Sequence, residues 1–115
     1  MTTKQDTPWG SWEVLLDDPN CKVKKIIVNP GQRLSYQKHF KREERWVIVQ
    51  GIATVTLNGE ISHYQPGEVV FIPLEAAHRI ANQEKNEAVI FIEVQRGSYF
   101  GEDDIVRLED DYGRS

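Results

Sequence analysis

The sequence predicts an all-β fold, a sandwich or small barrel made of many short strands. Short runs rich in Val, Ile, Thr and aromatic residues recur along the 115 residues. Turn residues separate these runs at intervals of about 8 to 12 residues, which is typical of such folds. The dipeptide Asn58-Gly59 lies between two runs and is a strong hairpin signal, because a type I′ turn needs two residues that tolerate positive φ.

The candidate strands follow one another from Trp12 to an acidic tail. In order they read WEVLL, VKKIIV, RLSYQ, RWVIVQ, IATVTL, ISHY, EVVFIP, HRIAN and AVIFIEVQ. The tail, SYFGEDDIVRLEDDYGRS, is expected to hold a short final strand or turn, and its last residues are expected to fray. We therefore expect one domain over 1–115, with N-terminal strands in 8–30, a barrel in 31–95 and the acidic tail in 96–115.

Composition and charge disfavour several classes of function. The chain has 18 acidic residues against 14 Lys and Arg, a balance that predicts neither a nucleic-acid partner nor an anionic membrane surface. No apolar run approaches the roughly 20 residues that span a bilayer, and the polar start lacks the apolar core of a signal peptide. We expect a cytoplasmic protein. Its single cysteine, Cys21, is expected to be a partly buried strand residue and not a nucleophile.

The run RLSYQKH concentrates polar side chains on one predicted face. Alternation along a strand gives one face Arg33, Ser35, Gln37 and His39. It gives the other face Leu34, Tyr36 and Lys38. A buried polar group without a partner costs about 1 to 3 kcal/mol, so the polar row is predicted to line a ligand pocket.

Two histidines and a carboxylate are expected to meet in that pocket. Glu44 follows His39 after a short loop, and closure of a barrel brings the strand of His78 alongside. This set suits a divalent transition metal and leaves coordination positions open, and Gln37 adds a neutral oxygen donor. Zn, Mn, Fe, Co and Ni are all compatible with it. The alternative for each histidine is a surface or satisfied core residue, and His63 fits that alternative best.

Two sets of spaced residues resemble the two motifs of the cupin family. The first set is Gly31, Gln37, His39, Glu44 and Gly51, with glutamine where the first histidine is usual. The second set is Gly67, Pro73, His78 and Asn82, with Glu75 where glycine is usual. The resemblance implies a double-stranded β-helix, the jelly-roll barrel of cupins.

Nearly the whole chain is similar to the type II mannose-6-phosphate isomerase domain, which in many relatives ends a bifunctional mannose-1-phosphate guanylyltransferase. The similar stretches lie between Pro8 and Arg114 and include PWGSWEVL, VNPGQRLSYQ, ERWVIVQGIATVTL and EVQRGSYFGEDDIVRLEDDYGR. Family members typically read SLQMHHHRAEHW where this chain reads SYQKHFKREERW. Phe40, Lys41 and Arg45 thus replace three histidines. The 115 residues contain nothing like the Gly-rich loop of the transferase. The chain is therefore not expected to make GDP-mannose by itself.

The resemblance implies interconversion of mannose 6-phosphate and fructose 6-phosphate. Such an isomerase moves a proton between C2 and C1, and a metal can stabilise the negative charge that develops. The candidate catalytic residues are Glu93, a carboxylate inside an apolar strand, and Arg42. A phosphate dianion also needs cations. The candidates are Arg33 first, then Lys38, Arg79 and Arg107.

Other functions are compatible with the same ligands. A non-catalytic cupin that binds a sugar phosphate or nucleotide sugar is the main alternative, favoured by Phe40, Lys41 and Arg45. A metal cupin oxygenase or epimerase with another small substrate is a third.

The apolar side chains opposite the pocket also need a cover. They include Val47 and Val49 on one strand and Leu34 and Tyr36 on another. We expect them to form a homodimer interface, or else to pack under the N-terminal segment that contains Trp9 and Trp12.

Overall fold

The structure is a computed structural model and describes residues 3–114. Within that range the chain forms strands and no helix, which confirms the predicted all-β class. The strands are β1 (Thr3–Thr7), β2 (Gly10–Asp17), β3 (Cys21–Val28), β4 (Tyr36–Lys38), β5 (Arg42–Gln50), β6 (Ala53–Leu57), β7 (Glu60–Tyr64), β8 (Val69–Ile72), β9 (His78–Ala81), β10 (Val89–Gly97) and β11 (Val106–Glu109). Over residues 3–114 there is accordingly no helix long and apolar enough to cross a membrane.

Two antiparallel sheets enclose the core. The larger sheet has the order β1-β2-β3-β10-β5-β8, and the smaller has the order β11-β4-β9-β6-β7. Strands distant in sequence are therefore neighbours, as in β10 between β3 and β5. The two sheets form the double-stranded β-helix that the sequence predicts.

The core forms where the alternating apolar side chains of both sheets meet. Trp46, Ile48 and Phe91 from the larger sheet and Val55 and Ile80 from the smaller one are almost fully buried in one cluster. Their outward neighbours are more exposed, as period-two strands require. Burial of each large side chain contributes about 1.5 to 3 kcal/mol, so this cluster fixes the register of the strands that carry the pocket.

The Asn58-Gly59 hairpin is confirmed. β6 and β7 pair with Leu57 opposite Glu60, and both turn residues have positive φ, 47° for Asn58 and 84° for Gly59. The Asn58 side-chain oxygen also accepts a hydrogen bond from the Ala77 amide at 3.0 Å. The turn is thereby tied to the chain just before β9.

The expected face assignment around β4 is wrong in part. Regular pairing there begins at Tyr36, and Arg33 joins Ala81 only through an isolated bridge. Alternation therefore does not run unbroken from Arg33 to His39. Leu34 packs against the core, although it was expected on the opposite face from the pocket, and Arg33 is exposed.

The acidic tail carries the short final strand that the sequence predicts. β11 pairs with β4, with Arg107 opposite Gln37. Beyond it the Tyr112 hydroxyl donates to the Gln32 side chain, and Arg114 forms an ion pair with Asp110 at 2.9 Å. Fraying of the last residues stays a prediction, and position 115 lies outside the described range.

The outer side of the larger sheet carries exposed apolar side chains. Val47 and Val49 on β5 are 39% and 53% exposed, and Val69 and Phe71 on β8 are 54% and 44% exposed. We call these four residues the outer apolar face. The N-terminal segment does not cover it, because Trp9 and Trp12 point inward and pack in or against the core. That alternative is therefore wrong.

Candidate metal site

His39, Glu44 and His78 meet inside the barrel. His39 directly follows β4, Glu44 lies in β5 and His78 begins β9, so the two sheets contribute from opposite sides. One ligand atom from each lies within 4.8 Å of the other two, and all three residues are buried. This grouping was predicted from the sequence. The fold creates it by bringing His78 close to Glu44, which lies more than 30 residues earlier in the chain.

Both imidazoles are oriented by backbone carbonyls. His39 Nδ1 lies 2.6 Å from the carbonyl oxygen of Asp104, and His78 Nδ1 lies 2.9 Å from that of Ala76. A ring nitrogen that donates its proton to a carbonyl leaves the other nitrogen unprotonated in the neutral ring. Nε2 of each ring is then the atom that could bind a metal, and Nε2 of His39 lies 3.4 Å from Glu44 Oε2 and 3.3 Å from Arg42 Nη2. This is the usual support of metal-binding histidines.

The charges around Glu44 keep it ionised. Trp46 Nε1 donates to one carboxylate oxygen and Arg42 Nε donates to the other, each at 2.9 Å. Burial by itself would raise the pKa of Glu44, but His78, Arg42 and His39 hold that pKa well below its usual range. Burial also lowers the pKa of His39, more than the nearby Glu44 raises it. An ionised carboxylate and a histidine whose pKa is lowered are the donor states that suit a divalent cation.

Gln37 lies at the edge of the same group. It pairs with His78 in the register of β4 and β9, and its side chain lines the same pocket. Its Nε2 donates to Ser35 Oγ at 3.0 Å. With the amide nitrogen used in this way, the amide oxygen is the atom that could complete a ligand set.

Glu93 places a second buried carboxyl group in the pocket. It lies opposite Trp46 in the register of β10 and β5, and it accepts a hydrogen bond from Gln95 Nε2 at 2.6 Å. Burial raises the pKa of Glu93, and the adjacent carboxylate of Glu44 raises it further. Two carboxyl groups in contact favour a shared proton, so the pair can hold one proton near the metal site.

The cations predicted for the pocket divide into two groups. Arg42, Arg79 and Arg107 line it. Arg33, the first candidate, instead forms an exposed ion pair with Asp111 at 2.7 Å. Lys38 does not line the pocket either, and its ammonium lies 5.3 Å from the ring centroid of Phe40. The break in alternation before β4 explains the misplacement of Arg33.

Several pocket residues were not predicted from the sequence. Lys24 on β3 lines the pocket, as do Glu102 and Arg114 from the tail. Alternation in VKKIIV could have found Lys24, because it shares a face with the buried Ile26. Glu102 and Arg114 carry no local pattern that predicts a pocket, since the path of the tail depends on the pairing of β11 with β4.

The three residues that replace the histidines of the resembled family lie outside this pocket. Phe40 and Arg45 are 43% and 46% exposed, and Lys41 is exposed as well. The Arg45 guanidinium packs over the Phe71 ring on the outer apolar face. His63 is exposed on β7. These three substitutions therefore lie on the surface and not in the pocket lining.

Comparison with known proteins identifies the domain type. The family model of the mannose-6-phosphate isomerase C-terminal domain matches residues 1–110. The mannose-1-phosphate guanylyltransferase ManC of Salmonella typhimurium is 46% identical over 107 residues, which cover 93% of this chain and 22% of that protein. The alginate biosynthesis protein AlgA of Pseudomonas aeruginosa is 46% identical over 108 residues, with coverages of 94% and 22%. The chain thus spans about a fifth of the length of these relatives.

The fold itself recurs in more distant proteins. An RmlC-like cupin from Shewanella frigidimarina superposes with a TM-score of 0.75 at 20% identity, covering 89% of this chain and 87% of that one. This agreement confirms the cupin fold.

Proposed function

The chain belongs to the mannose-6-phosphate isomerase C-terminal family, and on that premise we propose that it is a metal-dependent isomerase that interconverts mannose 6-phosphate and fructose 6-phosphate. The observation that carries the proposal is the buried group of His39, Glu44 and His78 beside a second buried carboxyl, Glu93. An aldose-ketose isomerase needs both a cation-binding site and a group that exchanges a proton. The proposed activity takes place in the cytoplasm, as expected from the sequence.

The donor set fits a divalent ion. His39, Glu44 and His78 would hold it, with Gln37 as a fourth ligand, because Nδ1 of each ring lies against a backbone carbonyl and leaves Nε2 for the ion, and because the Glu44 carboxylate is ionised. Arg42 Nη2, which lies 3.3 Å from His39 Nε2, would have to move away from that nitrogen. When bound, such an ion supplies Lewis-acid stabilisation of negative charge on a substrate oxygen. Nitrogen and oxygen donors of this kind accept Zn, Mn, Fe, Co or Ni.

Glu93 is the proposed acid-base group. Its raised pKa lets the carboxyl group hold a proton near neutral pH and release it at modest cost, which suits a group that carries a proton between C2 and C1. The Gln95 amide fixes its orientation. The apolar side chains of Trp9 and Phe91 line the same pocket and limit the access of water to the reacting carbons.

Arg42 is proposed to stabilise the developing oxyanion. Its Nε is used by Glu44, whereas its Nη1 is buried without a hydrogen-bond partner among residues 3–114. A buried guanidinium donor that lacks a partner is costly unless a ligand oxygen accepts from it. A substrate oxygen that gains negative charge would be such an acceptor.

The phosphate is proposed to bind Arg79 and Arg107. Both line the pocket, on β9 and β11 of the smaller sheet. Arg79 Nε donates to the Leu34 carbonyl at 2.9 Å, which holds the guanidinium in place. Planar guanidinium groups suit phosphate oxygens. Arg33 and Lys38 are not proposed for this role because they lie outside the pocket.

The non-catalytic alternative has lost its supporting feature. It depended on Phe40, Lys41 and Arg45, and these residues are exposed and apart from the pocket. An oxygenase or epimerase would not need the arginines Arg79 and Arg107. The isomerase therefore accounts for more of the pocket.

The proposed partner is a second copy of the chain, bound through the outer apolar face. Beside that face Glu43 lies between two arginines, 3.7 Å from Arg45 and 3.4 Å from Arg96, and the arginine side chains are 46% and 65% exposed. A surface with an apolar centre and exposed charges at its edge can meet its own copy across a two-fold axis while those charges stay in water.

A coupled assay tests the isomerase proposal. The purified chain is stripped with a chelator, and conversion of mannose 6-phosphate to fructose 6-phosphate is followed after addition of each candidate metal. We expect turnover with at least one metal, and loss of turnover in Glu93→Gln with metal still bound. Binding of mannose 6-phosphate without turnover under every metal would support the non-catalytic alternative instead.

A further inference from the structure

The loop between β10 and β11 contacts the metal site, although none of its residues is a proposed ligand. Asp104 in this loop is only 8% exposed. Its backbone carbonyl is the group that accepts from His39 Nδ1 at 2.6 Å. The orientation of a ligand thus depends on where this loop holds one carbonyl group.

The side chain of Asp104 fixes the same region from a second direction. One carboxylate oxygen accepts from the Phe40 amide at 3.1 Å, and the other accepts from the Lys41 amide at 2.9 Å. These amides belong to the two residues directly after His39. Asp104 therefore holds the histidine ring through its carbonyl and the backbone that follows the histidine through its carboxylate.

Two further contacts hold the loop on the N-terminal side of Asp104. At its start, the Ser98 amide donates to the Lys41 carbonyl at 2.9 Å, and the close approach leaves no room for a β-carbon at Gly97. In its middle, Glu102 forms an ion pair with Lys24 at 2.7 Å, and the Lys24 side chain is 4% exposed. The segment that leads to Asp104 is thus attached to the barrel at two points.

We propose that residues 98–104 form a clasp that positions His39 for the metal, with Asp104 as the positioning residue. This inference rests on the proposed metal site. The clasp fixes the His39 tautomer, so that Nε2 is unprotonated and faces Glu44. If the clasp favours metal binding, metal binding must favour the clasp to the same extent. A bound ion therefore also stabilises residues 98–104, which belong to the acidic tail that lines the pocket.

Titration with Co²⁺ tests the assignment, since its visible absorption reports coordination geometry. In Asp104→Asn one side-chain oxygen is replaced by an NH₂ group. The remaining oxygen can still accept from one of the Phe40 and Lys41 amides, but the NH₂ group cannot accept from the other. Loss of such a supporting contact weakens metal binding by about 10- to 100-fold. We expect that loss for Asp104→Asn together with an altered Co²⁺ spectrum, and neither change for the control Asp103→Asn, whose carboxylate instead accepts from the Tyr99 hydroxyl.

Hydrogen exchange supplies a second readout on the unaltered chain. Co²⁺ is expected to slow exchange of the amides in 98–104 more than in the β6–β7 hairpin. Co²⁺ affinity and spectrum unchanged in Asp104→Asn would overturn the clasp while leaving the metal site intact. Absence of Co²⁺ binding by the unaltered chain would overturn the metal site and the clasp together.

Discussion

At the scale of single residues, His39 and His78 each divide their ring nitrogens, with Nδ1 against a backbone carbonyl and Nε2 as the proposed metal-binding atom, although Nε2 of His39 also lies 3.3 Å from Arg42 Nη2. The Nδ1 contacts with the carbonyls of Asp104 and Ala76 fix this division. A third histidine, His63, is exposed on β7 and lacks such an environment. The three residues therefore provide a matched test of the ligand assignment.

Replacing His78 with Ala should reduce bound metal. The change removes one of the two proposed imidazole ligands. We therefore expect the metal affinity of the purified protein to fall about ten-fold or more. Elemental analysis after dialysis against a defined metal buffer measures the content. The control His63→Ala should retain the content of the unaltered chain. Stoichiometric metal in His78→Ala would refute the assignment of this ligand.

Replacing Arg107 with Ala should weaken binding of the phosphorylated substrate. A charged hydrogen bond contributes about 1.5 to 3 kcal/mol, so KM for mannose 6-phosphate should rise by about 10- to 100-fold with a smaller change in kcat. Steady-state kinetics measures both. Arg33→Ala is the matched control, because Arg33 forms an exposed ion pair with Asp111. Equal effects of the two changes would argue against the phosphate assignment.

These two arginines also illustrate what the sequence could and could not predict at this scale. Alternation correctly placed Gln37 and His39 in the pocket. It failed for Arg33, because regular pairing begins only at Tyr36 and the chain before it is joined by an isolated bridge. Side-chain direction follows from alternation only while the strand is continuous.

At the scale of elements, turns that require unusual backbone angles position the pocket strands. The turn between β8 and β9 contains Glu75 with φ of 65°, where the resembled family usually has glycine. Its amide donates to the His39 carbonyl at 2.8 Å. The strain of this turn therefore lies beside a proposed metal ligand.

Replacing Glu75 with Gly should stabilise the fold. A residue with a β-carbon pays about 1 to 2 kcal/mol for left-handed backbone, whereas glycine loses about 0.5 to 1 kcal/mol through its freer unfolded chain. We expect the free energy of unfolding to rise by about 0.5 to 1 kcal/mol in urea denaturation. The control Glu87→Gly, in an exposed loop without positive φ, should lower it. A decrease for both variants would show that the turn is not strained.

Strand identity was more predictable than strand ends. The hairpin at Asn58-Gly59 follows from local chemistry, and the structure confirms it. β1 was not predicted, because its residues TKQDT are polar and an edge strand needs few apolar side chains. The final strand in the tail was predicted, but its contacts with Gln32 and β4 were not, since they depend on distant segments.

At the scale of the whole molecule, closure of the barrel decides which charges share the pocket. Lys24, Arg79 and Arg114 are far apart in sequence and line one cavity. A single sequence contains the alternation of each strand but not the order of strands in a sheet. The grouping of His39, Glu44 and His78 was predictable because their spacing resembles a known family, whereas Arg114 required the path of the tail.

The outer apolar face gives the molecule a testable state of association. Val47 and Val69 are neighbours in the register of β5 and β8 and are both substantially exposed. Burying half of such a side chain contributes about 1 kcal/mol, so the dimer should dissociate on dilution. The mass measured by sedimentation over a range of concentrations should therefore approach twice the chain mass of 13.3 kDa at high concentration.

The double variant with Lys at Val47 and Val69 should be a monomer, because two buried ammonium groups per chain would lack partners in the dimer. Ile61→Lys is the matched control, since Ile61 is 65% exposed on β7 of the other sheet. It should sediment as the unaltered chain does. A monomer at every concentration, or equal dissociation of the control, would exclude this face as the dimer interface.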